Sequence, residues 1–512
     1  MAEIVLDGAP LAITDVVAVA RGGVPVRLAD DARRSVASAR DKLKRIATDG
    51  LPHYGVNTGF GSLARERVSD EELDQLQVNL IRSHAAGIDS PLSTETVRAT
   101  MLILAASLAR ARSGVRPEVI EQLVLMLNAG VTPVVPAIGS VGASGDLAPL
   151  AHIACGMTGS GESIVNGAGY PANHALARAD LEPIRLKAKE GLALINGTHL
   201  MAASACLVVA DVDRLARAAL VAGAMSVDAC KASAGPFDPR IAALRNHPGP
   251  SKVARSLLKL LADSEIGPSH RDNDPRVQDP YSLRCQPQVL GAVLDGFDSL
   301  RTATERELGA VTDNPLLVGD GDLVSGGNFH GMPIALPLDH AATLIAPIAG
   351  MAERRVFWML AAIDSESGLS PHLASRPGVT SGLMIAQYTA AAACNEIIGL
   401  CHSATAMNIS TCAGVEDYNS FGPRAAAKAR RALELAESVV AIELLCASEA
   451  IEFHRPHRTG RPLEAVHAMI RERVDRFTTD RSPSPDIETI VSLIREGGLD
   501  RFVSLEDTGE VT

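Results

Sequence analysis

The run EGLALINGTHLMAASACLVVADVDRLARAALVAGAMSVDACKA, residues 190–232, decides the fold class. It is largely apolar and is interrupted at Asn196-Gly197. A helix that is apolar all round belongs in the middle of a bundle. Similar long segments cover roughly 285–312, 331–363, 376–410 and 422–453. Upstream, one helix is predicted from about Ser93 to Arg112, and another opens at Pro117 and stops at Gly130. Strand and helix do not alternate, so a parallel sheet is not expected. The reading is a mainly α chain around a central bundle of long helices. Residues 1–60, punctuated by Gly8, Gly22, Gly23, Gly50, Gly55 and Gly59, read as a small, mixed, loop-rich region. Three stretches follow in chain order: an N-terminal region over 1–200, the bundle over 201–460, and shorter, more polar helices over 461–512.

Composition agrees with close-packed helices. Aromatic residues are only 3% of the 512, whereas strands favour β-branched and aromatic side chains. The formal net charge of −12 leaves no electrostatic footprint for nucleic acid. The most apolar windows, Met101 to Leu108 and Leu344 to Met351, are too short for a membrane span, and Pro347 breaks the second. The start MAEIVLDGAP lacks the basic stretch of a secretory signal. Eight cysteines, at 155, 206, 230, 285, 394, 401, 412 and 446, form no CxxC pair and suit reduced thiols in a cytoplasmic protein. Clustered His/Cys spacing is absent, so no metal site is expected.

Two stretches depart from an ordinary helical pattern. Ser69-Asp70-Glu71-Glu72 reads as a capping box. After it, Leu73, Leu76 and Leu80 form an apolar stripe that His84 continues, and Gly87 closes the helix. A titratable ring therefore points where a core residue belongs. The loop Gly139-Ser140-Val141-Gly142-Ala143-Ser144-Gly145-Asp146 precedes a helix for which Asp146 is a suitable N-cap. It is open to three readings. A phosphate cradle would need the Lys of a P-loop or a preceding strand, and both are missing. A plain tight turn is the second. The third is covalent. If the loop bends hard, the Gly145 nitrogen reaches the Ala143 carbonyl carbon; loss of water closes a five-membered ring, and loss of the Ser144 hydroxyl leaves an exocyclic methylene. Small residues are required, because a Cβ at the third position would obstruct the approach.

Gly142 to His152 (GASGDLAPLAH) resembles the signature of the histidine, phenylalanine and tyrosine ammonia-lyases and related aminomutases. The resemblance continues in HYGVNTGFG (53–61), SHAAG (83–87), GLALINGT (191–198), VQDPYSLRCQPQ (277–288) and SGGNFH (325–330). Within the family these blocks are most similar to the histidine-specific branch. The resemblance implies a mostly α, fumarase/aspartase-like fold. It implies a 4-methylidene-imidazol-5-one built from Ala143-Ser144-Gly145, with no external cofactor. It also implies a homotetramer whose active sites are shared between neighbouring subunits. The implied reaction removes ammonia from an amino acid, here histidine giving trans-urocanate. Capture through the amine makes it a better leaving group; capture through the imidazole would acidify the β-proton. The amine route is preferred here.

Roles also come from the resemblance. Tyr54, in a Gly-flanked loop, would take the β-proton, which requires a lowered pKa or partners that accept the charge. Tyr281 and Arg284 fall on one helical turn, where Tyr281 would assist catalysis and Arg284 would clamp the carboxylate through paired hydrogen bonds. Asn196 would bind the electrophile's ring oxygen or the substrate. Gln278, Asn328 and Phe329 would complete the walls. His84 and Glu416 would meet the imidazole and select the substrate. Here the chain departs from the family, whose Glu is usually preceded by Gln: the segment reads Ala413-Gly414-Val415-Glu416-Asp417-Tyr418-Asn419-Ser420, with Tyr418 where a smaller residue is usual. A tyrosine- or phenylalanine-selective lyase or aminomutase is the nearest alternative. A catalytically silent homologue acting as a binding or structural protein is another.

Overall fold

The computed structural model describes residues 3–61, 65–272 and 274–505. Its helices fall close to the periodic runs, except that only the middle of the expected 376–410 segment is helical. The 190–232 run forms Glu190–Ile195 and His199–Ala229, split at Asn196-Gly197. The other long segments become Gln286–Glu307, Met332–Ala361, Met384–Leu400 and Gly422–Ile451. The polar C-terminal stretch carries the shorter helices Arg461–Arg471 and Ser484–Arg495.

Two compact units are each assembled from three segments. The first comprises Met1–Ala210, Leu300–Asp339 and Ser403–Ala427; the second comprises Asp211–Ser299, His340–His402 and Lys428–Thr512. Four of the long helices contribute residues to both.

The first unit is built on Thr94–Ala109. The Ser93 hydroxyl accepts the Thr96 amide at its start, and every residue from Val97 to Ala109 is buried. Being apolar all round, this helix is packed on all sides. Leu80, Leu123, Leu150 and Leu194 from four further helices join the same core. Pro117–Asn128 opens on its proline, whose missing N–H costs nothing at that position. Sheet is confined to small pieces, such as Ile4–Leu6 parallel to Val26–Leu28 and an antiparallel group of Thr132–Pro133, Glu162–Val165 and Ala168–Pro171.

The second unit holds a fully buried ion pair. The Arg355 guanidinium donates to both Glu443 oxygens, Ser226 donates to Glu443 at 2.6 Å, and Arg355 also reaches the Ser282 carbonyl at 3.1 Å. Each charge is thus paired and further hydrogen-bonded, the condition for keeping ions in a low-dielectric interior. Helix Met332–Ala361 has the length and hydropathy to cross a membrane, and half of its most apolar window is buried in the protein. The eight cysteines are all free.

Local expectations needed revision in three places. Residues 13–47 are mostly two helices, Ile13–Gly22 and Asp30–Ala47, so glycine frequency overstated the loop content. Ser69 starts a 3-10 turn, and its hydroxyl donates to the Glu72 carboxylate rather than capping an amide; the helix proper runs Leu73–His84 and ends before Gly87. Asp146 occupies the N-cap position of Leu147–Met157 without capping it.

Candidate active site

The loop at 139–146 is held from two sides, both within the first unit. Gly142 and Gly145 have φ of 68° and 73°, a region that costs other residues strain. A Cβ on Gly145 would overlap the Gly197 carbonyl, and one on Gly142 would overlap the Ser420 hydroxyl. Only glycine permits this approach of backbone to backbone. The contact is fastened by the Asp146 amide donating to Gly197 O at 2.7 Å and the Gly197 amide donating to Ser144 O at 3.3 Å. From the other side, the Ser420 hydroxyl donates to Gly142 O at 3.0 Å and the Phe421 amide donates to Val141 O at 2.8 Å.

Asp146 serves a different helix from the one it precedes. Its buried carboxylate accepts the Leu200 and Met201 amides at 2.9 and 3.1 Å, in the first turn of His199–Ala229. Burial pushes its pKa up to about 7, against those two amides, which favour the charged form.

Facing the loop is a cavity of about 970 Å³, lined among others by Tyr54, His84, Ser144, Asn196, Phe329 and Glu416. Ala143 also lines it, and Gly145 lies behind, against Gly197. Seven sequence-predicted residues thus meet at one wall of side chains. Asn196 Nδ2 donates to Asp313 Oδ1 at 3.3 Å and to Asn314 O at 3.2 Å, while its buried Oδ1 has no partner. A buried acceptor left open beside a cavity marks a place for a ligand donor. Asp313 is itself paired with Lys189, both fully or nearly buried, so a buried ion pair orients Asn196.

The Tyr54 phenol oxygen accepts the Gly61 amide at 3.2 Å. Burial nevertheless pushes its pKa up, the Glu416 carboxylate adds to the rise, and the Gly61 hydrogen bond offsets only part. The lowered pKa that a base would want is therefore absent. His84 Nδ1 lies 2.9 Å from Leu80 O, within its own helix, where the ring N–H donates. Glu416 is half-buried. Its Oε1 accepts the Ser144 hydroxyl at 3.2 Å and its Oε2 accepts the Thr411 hydroxyl at 3.0 Å.

The altered segment before Glu416 is exposed and left-handed. Cys412, Ala413 and Gly414 have φ of 51°, 55° and 86° in succession, strained for the first two. Val415 lines the cavity. Tyr418 does not; its ring stacks on His330 with centroids 6.4 Å apart, and His330 donates to the Tyr418 carbonyl at 3.0 Å. Of the two departures from the family pattern, Val415 is the one that meets the cavity.

The remaining predicted residues lie elsewhere. Asn328 is exposed and donates to Val311 O at 3.3 Å. Gln278 lines a separate cavity of about 550 Å³ in the second unit. Tyr281 and Arg284 share the helical turn Tyr281–Arg284 of that unit, with Tyr281 68% exposed. None of these four is among the residues that line the first cavity. Sequence reading missed Lys189, Asp313 and Ser420, whose partners are distant in the chain, and Thr411, which meets Glu416 only because the intervening segment folds back.

The aromatic amino acid lyase family model matches residues 11–472. A histidine ammonia-lyase of Anaeromyxobacter sp. (strain K) is 46% identical over 509 residues, covering 98% of this chain and 100% of that one. The crystal structure of histidine ammonia-lyase from Trypanosoma cruzi has a TM-score of 0.90 at 36% identity, covering 98% and 96% of the two chains. Tyrosine aminomutase from Streptomyces globisporus superposes with a TM-score of 0.92 at 30% identity over the whole of both chains. The family model and these relatives make the chain a carbon–nitrogen lyase of the ammonia-lyase class. The chain belongs to the aromatic amino acid lyase family.

Proposed function

We propose that the protein removes ammonia from L-histidine without oxidation, giving trans-urocanate. The observation that carries this reading is the Glu416 carboxylate in the same cavity as His84 and Ser144. A carboxylate accepts an imidazole N–H and stabilises its charge. A phenylalanine side chain offers nothing to such a pair. The histidine ammonia-lyases among the relatives support the same substrate.

The residues fit a methylidene-imidazolone built from Ala143-Ser144-Gly145. A Cβ on Gly145 would overlap Gly197, and Gly142 and Gly145 sit in glycine-favouring conformations, so the loop can take the tight bend the ring needs. The unpartnered Asn196 Oδ1 at the cavity wall accepts from a donor such as the substrate amine. The methylidene-imidazolone would supply an electrophilic carbon for the substrate. Asn196, held by Asp313 and Lys189, orients against it. Tyr54 takes the β-proton, and its Gly61 amide partner stabilises the phenolate formed at high pH. His84 and Glu416 hold the imidazole ring. Phe329 and Val415 close apolar wall around it.

Tyr281, Arg284 and Gln278 have no place in the wall that one chain supplies to this cavity. In our reading they reach it from neighbouring subunits of a homotetramer, Arg284 clamping the substrate carboxylate. Asn328 flanks Phe329 at the rim. The free thiols support a reducing compartment such as the cytoplasm.

A panel of amino acids tests the substrate. Urocanate absorbance should rise with histidine, and tyrosine and phenylalanine should give no arylacrylate. Formation of coumarate, or of a β-amino acid, as the main product would replace this reading with the tyrosine-directed alternative. No product from any of them would favour a silent homologue.

A further inference from the structure

The hydrogen bond between Ser144 and Glu416 joins two residues to which the proposed function gives separate tasks. One is consumed in making the electrophile, and the other receives substrate. Yet Glu416 Oε1 accepts the Ser144 hydroxyl at 3.2 Å, and Thr411 fixes the other carboxylate oxygen at 3.0 Å. The backbone assists, with the Thr411 amide donating to Glu416 O at 2.9 Å across the base of the segment. A carboxylate held at both oxygens is aimed, not merely nearby. Among the described residues, Glu416 is the only titratable side chain that hydrogen-bonds the Ser144 hydroxyl.

We propose that Glu416 drives the second dehydration that matures the electrophile, before it ever meets a substrate. The inference rests on the proposed methylidene-imidazolone. Ring closure comes first: the Gly145 nitrogen bonds to the Ala143 carbonyl carbon, and that oxygen leaves as water with the protons of the Gly145 and Ser144 amides. The Ser144 Cα–H then lies between a carbonyl and a C=N bond and is acidified. The Glu416 carboxylate takes the Ser144 Cα proton, and the acid so formed donates it to Ser144 Oγ along the line of the existing hydrogen bond. The electron pair left on Cα forms the Cα=Cβ bond as the Cβ–Oγ bond breaks. The hydroxyl departs as the second water, and Glu416 ends as the carboxylate it began. One proton moves twice, one water leaves, and no oxidant or reductant is involved.

The same geometry makes the two tasks successive. While the hydroxyl remains, it occupies Oε1. Once it has left, Oε1 loses that partner and is available to an imidazole N–H. Maturation thereby prepares the substrate subsite as well as the electrophile.

The test reads mass rather than activity. Full-length wild type and the Glu416→Gln, Glu416→Asp and Thr411→Val variants are purified, and the peptide spanning residues 143–145 is weighed at intervals after synthesis. Wild type should be lighter by two waters. Glu416→Gln should halt one water lighter, or lose the second water at least ten times more slowly. Glu416→Asp, which keeps the acid, should recover part of the rate, and Thr411→Val, which loosens it, should be slowed. An unmodified wild-type peptide would overturn the electrophile itself. A two-water wild type with a Glu416→Gln variant processed equally fast would overturn only the role of Glu416. Thermal melting checks that each variant is folded. Should Glu416→Gln not fold, Thr411→Val decides: wild-type processing there overturns the proposal.

Discussion

The cradle around Ala143-Ser144-Gly145 and the segment 411–418 face the same cavity but are built in opposite ways. The cradle is buried: Ala143 is 5% exposed, Asp146 is inaccessible, and glycine meets glycine with no room for a methyl group. The 411–418 segment is open, with Val415 63% exposed and two non-glycine residues in left-handed conformation. Close packing leaves the cradle few acceptable sequences. An exposed segment is less constrained and varies more readily. On the proposed function, reaction type is written in the first and substrate preference in the second. The change from the usual Gln to Val415 falls on the side where change is tolerated.

The largest effect should come from the cradle. Ser144→Ala has no hydroxyl to lose and should lower the rate of urocanate formation by several decades; a rate near wild type would break the comparison at its root. Next is the support behind Asn196. Lys189→Met leaves Asp313 buried without its partner, at a cost of about 3–5 kcal/mol in urea unfolding. A loss under about 1 kcal/mol would mean that the pair does not hold the cradle.

Tyr54 lies between the two regions. Because burial raises its pKa, the phenolate is the minor form at neutral pH, so kcat/KM should climb with pH on the alkaline side. Tyr54→Phe should remove most of the activity together with that climb. A profile already flat at neutral pH would show a partner lowering the phenol's pKa in the assembled enzyme. The smallest effect belongs to the open segment. Val415→Gln should change KM for histidine by less than about tenfold, or about 1.4 kcal/mol, and leave maturation intact. Loss of maturation in that variant would erase the distinction between the regions.

The helices were legible from long runs rich in apolar, helix-favouring residues, buried throughout in Val97–Ala109 but only at Ala386, Ala390 and Ile397 in Met384–Leu400; Ser93, Pro117 and Asn196-Gly197 mark helix ends. The meeting of Tyr54, His84, Ser144, Asn196, Phe329 and Glu416 was legible from family blocks, not from spacing. Asp146 illustrates what was not. Local pattern offers it as the cap of the next helix, whereas its partners are amides 54 and 55 residues further on. Lys189 and Asp313 are hidden similarly, 124 residues apart. The two compact units, each drawn from three separated segments, leave no boundary for composition to reveal. Tyr418 was suspected of intruding on the cavity, and its stacking on His330 takes it elsewhere, a choice between neighbours that sequence does not carry.

The central claim is that the buried loop makes its own electrophile. Mass spectrometry of the wild-type peptide spanning residues 143–145 tests it most directly. A peptide lighter by two waters is the predicted result, and a peptide of unmodified mass would contradict it.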